Sequence, residues 1–85
     1  MRLTFLWNAQ ARAELRAVPQ EDAVRILHAL TRYAKTGEGD IKALHGALAG
    51  ANRLRVGPWR VQFRTLQPDT IQILAVEKRG DAYRD

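Results

Sequence analysis

The sequence predicts a small α+β domain, a single unit over residues 1–85, in which a helical hairpin packs on one face of a sheet and the elements run β-α-α-β-β-β. Three observations predict it. A helical period over residues 9–34 gives way to strict alternation after residue 52. The two helical segments meet at one proline, Pro19, which suits an antiparallel hairpin of helices. Finally, 85 residues that are 46% hydrophobic supply one core and not two, and burial at this size leaves an isolated domain marginal.

Each element has its own signal. Leu3, Phe5 and Trp7 alternate with Arg2 and Thr4 and predict a short first strand, although Leu6 breaks the period. Asn8 can cap the first helix, whose Ala11, Leu15 and Val18 share a face up to Pro19. The second helix places Pro19 in its first turn and Glu21 and Asp22 at its positive end. Val24, Leu27, Leu30 and Ala34, with Ile26 and Tyr33 beside them, form its buried stripe, and Gly37 its C-cap. Residues 37–51 hold four of the six glycines and read as one connection. Leu54 and Val56, then Trp59, Val61 and Phe63, alternate with polar residues on either side of the turn Gly57-Pro58. After a second turn at residues 67–70, the near-continuous apolar run Ile71 to Val76 predicts a central strand buried on both faces. Residues 77–85 read as a polar tail.

The charge narrows the function classes. Fourteen Lys and Arg against nine Asp and Glu give a net charge of +5, which favours a polyanionic partner. Eleven of the cations are Arg, whose planar fork grips phosphate bidentately. From Gly50 to Gln67 there are four arginines, Arg53, Arg55, Arg60 and Arg64, and no acid. With no Cys, disulfides, thiolate metal sites and cysteine nucleophiles are excluded. The absence of metal-ligand spacing and of a phosphate-cradling glycine loop disfavours a metal-dependent nuclease and predicts no cofactor. No apolar run is long enough to span a membrane and the N-terminus is too short for a signal peptide, so the expected location is cytoplasmic.

A two-residue turn at Gly57-Pro58 dictates register: Val56 faces Trp59, Arg55 faces Arg60, and Arg53 faces Gln62. Arg53, Arg55 and Arg60 then share one sheet face while Leu54, Val56, Trp59, Val61 and Phe63 pack on the helices. Opposed like charges cost roughly 0.2–1 kcal/mol per pair, so the arrangement points to an anion held on that face. Lys78 and Arg79 leave the last strand, and Tyr83 follows four residues on with a hydroxyl and a ring. The two histidines, His28 in the second helix and His45 in the glycine-rich connection, read as structural or solvated.

The run Arg53-Leu54-Arg55-Val56-Gly57-Pro58-Trp59-Arg60-Val61, followed by a hydrophobic strand and by Lys78-Arg79-Gly80-Asp81-Ala82-Tyr83, resembles the RelE/ParE toxin superfamily of bacterial type II toxin–antitoxin modules. The stretches Ala29 to Ala34, Gly37 to Asp40 and Lys42 to Gly46 are similar to that family's helix end and following loop. The resemblance implies a mostly antiparallel curved sheet and a cognate antitoxin that wraps the toxin, the complex alone binding operator DNA. For RelE-like members it implies ribosome-dependent, metal-independent mRNA cleavage, in which the 2′-hydroxyl attacks the adjacent phosphate. On that carry-over Arg60, Arg79 and Tyr83 are the catalytic candidates, and Arg53, Arg55, Lys78 and Arg64 bind RNA phosphates. Many RelE-like nucleases carry Lys where this chain has Arg53 and Arg55, and a guanidinium stays protonated at neutral pH, which leaves the general base unassigned apart from Tyr83. Two alternatives share the fold: a ParE-like inhibitor of DNA gyrase, and an inactive member that binds antitoxin.

Overall fold

The computed structural model describes residues 4–78. Along the chain these form β1 (Thr4–Trp7), α1 (Ala9–Ala17), α2 (Gln20–Thr36), β2 (Asp40–Ala43), a single 3-10 turn (Gly46–Leu48), β3 (Asn52–Val56), β4 (Trp59–Leu66) and β5 (Thr70–Lys78). The sheet order is β1-β5-β4-β3-β2, with β1 parallel to β5 and every other pair antiparallel. The predicted α+β class is present, with two helices on one face of the sheet, but the stripe expected in α2 is corrected: Leu30 is buried together with Ile26, whereas Val24 and Leu27 are exposed. The addition is β2, a four-residue edge strand inside the segment expected to be a connection.

Local chemistry sets the helix ends. The Asn8 side chain accepts a hydrogen bond from the Ala11 amide at 2.7 Å and caps α1. Val18, squeezed by the ring of Pro19, turns extended and ends that helix. Pro19 itself is the N-cap of α2 rather than part of its first turn. At the other end the Gly37 amide donates to Tyr33 O at 2.8 Å with φ of 76°, a left-handed cap.

The helices cover one face of the sheet. Ala11 and Val18 of α1 and Ile26 and Leu30 of α2 meet Leu54, Val61, Phe63, Ile71, Ile73 and Val76. The ring of Tyr33 lies 5.2 Å from that of Phe63, and the Trp59 indole donates to Asp22 Oδ2 at 3.0 Å, tying the β3–β4 hairpin to α2. Both tryptophans pack against this core.

The expectation that β5 is buried on both faces is corrected. Gln62 pairs with Ala75 but Phe63 pairs with Ile73, so Leu74 is an extra residue in β5. This bulge switches the alternation, which lets Ile71, Ile73 and Val76 all reach the helix-side core. The apolar run is long because the strand changes phase within it. The opposite face carries no helix among the described residues, and it is there that the arginines lie.

Candidate functional site

Two rows of side chains cross the uncovered face. Residues paired across strands share a face, so Lys42, Arg53, Gln62 and Ala75 form one row, and Asp40, Arg55, Arg60 and Glu77 form the next. The register expected from Gly57-Pro58 holds: Val56 pairs with Trp59, Arg55 with Arg60, and Arg53 with Gln62. Gly57 has φ of 58°, the left-handed conformation that the tight turn needs and that a side chain opposes. In the second row the opposed Arg55 and Arg60 are flanked by Asp40 on one side and Glu77 on the other. Two carboxylates therefore offset part of the repulsion between the guanidinium groups.

The rows are also linked to each other. Arg53 Nη2 lies 3.8 Å from Asp40 Oδ1, and Gln62 Nε2 donates to Glu77 Oε1 at 2.6 Å. Arg60 is only 4% exposed, which is rare for an arginine and requires compensating charge nearby; Glu77 is opposite it. The Arg53 side chain is largely buried as well, at 13% exposure.

These two arginines open into one cleft of about 310 Å³, together with Lys42, His45, Gln62 and Glu77. Its remaining wall comes from Ala43 at the end of β2 and from Leu44 and Leu48 in the loop between β2 and β3. Lys42, Arg53 and Arg60 against one carboxylate, Glu77, leave the cleft positive. Fixed guanidinium donors on a sheet floor, screened from bulk water, suit an anion whose charge grows during reaction. Among the described residues no group of three or more His, Cys, Asp or Glu side chains could hold a metal ion.

No known family model matches the chain, and no curated protein matches it. Solved structures do. A chain of the RelBE2 toxin–antitoxin complex from Mycobacterium tuberculosis is 28% identical, with a TM-score of 0.67 over 93% of this chain and 100% of that one. A chain of the RelB–RelE antitoxin–toxin complex from Methanococcus jannaschii is 24% identical, with a TM-score of 0.74 over 92% and 94%. The YoeB/ParE toxin from Agrobacterium tumefaciens is 13% identical, at a TM-score of 0.77 over 91% and 99%, and shares the fold alone. The chain has the fold of the RelE/ParE-type toxins.

Within this RelE/ParE-like fold the predicted site residues separate into groups. Arg53 and Arg60 share the cleft. Arg55, exposed, lines a different groove of about 360 Å³ at the flank of α2, with His28, Arg32, Glu38 and Asp40. Arg64 is on the uncovered face opposite Gln72 and does not line the cleft. Lys78 lies away from the arginines: it pairs with Trp59, so alternation turns it to the helix side, with Nζ 6.0 Å from the Trp59 ring. Arg79 and Tyr83 lie outside the described residues.

Three groups in the cleft escape sequence reasoning. His45, read as structural or solvated, lines the cleft beside Arg53 and Arg60. Glu77 and Lys42 reach the same face through register alone. The available signal was parity: Lys42 and Glu77 fall on the arginine face once β2 and the bulge are known, and neither feature has a sequence signature.

Proposed function

We propose that the chain is the toxin of a type II toxin–antitoxin module, acting in the cytoplasm as a RelE-like, ribosome-dependent mRNA endonuclease neutralised by a cognate antitoxin. The observation that carries this reading is the meeting of Arg53 and Arg60 with Lys42 and His45 in one positive cleft, on a fold shared with a toxin–antitoxin chain at 28% identity. Arg53 and Arg60 grip the scissile phosphate. The 2′-oxygen attacks phosphorus while its proton leaves to a base, giving a 2′,3′-cyclic phosphate and a 5′-hydroxyl leaving group that takes up a proton. Charge accumulates on the equatorial phosphoryl oxygens, where the guanidinium donors act most strongly. His45 is the cleft's proton-transfer candidate, because an imidazole can both give and take a proton near neutrality. Arg79 and Tyr83 keep the roles that the resemblance implies, a second phosphate ligand and a stacking or proton-relaying ring.

Primer extension on a defined mRNA in a cell-free translation reaction tests the reading. Breaks that require ribosomes are expected. A folded protein that leaves the mRNA intact while inhibiting supercoiling by purified DNA gyrase would instead place it with the ParE-like inhibitors. Harmless overexpression of folded protein would identify an inactive, antitoxin-binding member.

A further inference from the structure

The cleft is not uniformly charged. Its basic floor, Arg53, Arg60 and Lys42, faces an apolar wall formed by Leu44 and Leu48. Leu48 is 39% exposed, one of four large hydrophobic side chains that stand out among the described residues. An exposed leucine by itself needs no explanation. This one lines the same recess as two guanidinium groups, on a loop held to a fixed shape. The Leu44 amide donates to Ala51 O, the Ala51 amide to Leu48 O and the Ala49 amide to Gly46 O, each at 3.0 Å. Ala51, at the base of the loop, is 1% exposed. The wall is therefore presented ready-made, without ordering cost on binding.

We infer that the wall formed by Leu44 and Leu48 is a nucleobase subsite, so that the cleft takes one ribonucleotide with its phosphate on Arg53 and Arg60 and its base against Leu48. This rests on the ribonuclease reading and deepens it. The argument is the pairing of chemistries: an anion site adjoining a small apolar surface fits a ligand that is anionic at one end and planar and weakly polar at the other. The volume, about 310 Å³, is at the small end of ligand cavities and suits a mononucleotide unit rather than a protein helix. Among the described residues no Phe, Tyr or Trp lines the cleft, and its one ring is the imidazole of His45. Base contact here is by aliphatic packing, which is sequence-tolerant and discriminates by size.

The experiment is a binding titration of the purified full-length chain with guanosine 3′-monophosphate and, separately, ribose 5-phosphate, followed by NMR or calorimetry. The nucleotide is expected to bind about tenfold more tightly than the sugar phosphate, the scale of a modest apolar contact. Leu48→Ala should erase that difference while leaving ribose 5-phosphate affinity unchanged, and Leu48→Trp should widen it by supplying a stacking surface. A gain with Trp cannot arise from misfolding. Equal affinities for the two ligands in the unmodified protein, no binding of either, or a difference that survives Leu48→Ala would each overturn the inference. Equal affinities for the two ligands in an unmodified protein that makes ribosome-dependent breaks would refute the subsite alone. Absence of breaks would refute the ribonuclease reading instead.

Discussion

Arg60 and Arg53 differ in what their removal would do, although both lie in the cleft. Arg60 is 4% exposed and opposite Glu77, so Arg60→Ala strands a carboxylate near the sheet and should cost about 3 kcal/mol of stability along with activity. Arg53 is also largely buried, its side chain 13% exposed, but the carboxylate it meets, Asp40, is 59% exposed, so Arg53→Ala strands no buried acid and should cost less stability than Arg60→Ala. Its effect falls on cleavage, with a loss of about 100-fold, the scale of one fixed donor to a developing oxyanion. His45→Gln should lose a similar factor, about 100-fold, and retain binding of RNA, since general acid–base catalysis contributes to the transition state and not to the ground state. Circular dichroism melts and single-turnover cleavage measure the two effects separately. Wild-type cleavage by His45→Gln would remove the imidazole from the mechanism.

At the scale of elements, the turns and caps carry the fold's specificity. Asn8 satisfies the first turn of α1 through one 2.7 Å hydrogen bond, and Asn8→Ala should cost about 1 kcal/mol in a urea melt. A smaller loss than a few tenths would mean the cap is replaceable by water. The β3–β4 hairpin was legible from sequence for a physical reason: a two-residue turn at Gly57-Pro58 admits one register, and that register alone sorts arginines to one face and Trp59, Val61 and Phe63 to the other. The loop between α2 and β3 was not. Its strand is four residues long, lies at the sheet edge and has no alternation to display, while its glycines dominate the local signal. His45 was hidden with it, because a lone histidine in an unread loop has no spatial neighbours until the loop is built. The bulge at Leu74 likewise left no mark: a phase change inside an apolar run looks the same as a strand buried on both faces. For the same reason the true parity of Lys78 was out of reach.

The whole molecule is a one-sided sandwich, with helices on one face of a five-stranded sheet and a positive cleft on the other. Its principal core rests on few large side chains, among which Phe63 and Leu30 are at most 1% exposed. Leu30→Ala should cost about 3 kcal/mol, a large fraction of the stability of a domain this small, and binding of the antitoxin should restore the melting temperature by mass action. Thermal melts with and without that partner decide this. The net charge of +5 and the three cations of the cleft predict strong salt dependence for RNA binding. With about three phosphate contacts to a single strand, log K should fall against log salt with a slope of about −2. A slope near zero would mean that the cleft does not grip phosphate. No helix among the described residues is long and apolar enough to cross a membrane.

The central claim is that Arg53 and Arg60, gathered with His45 in one cleft, cut mRNA on the ribosome. The most direct measurement is primer extension on a single mRNA in a reconstituted translation reaction, comparing the unmodified chain with Arg53→Ala at equal concentration and with matched melting curves. The account predicts discrete ribosome-dependent stops with the unmodified chain and their reduction by about 100-fold with Arg53→Ala. Stops of equal strength from both proteins would contradict it.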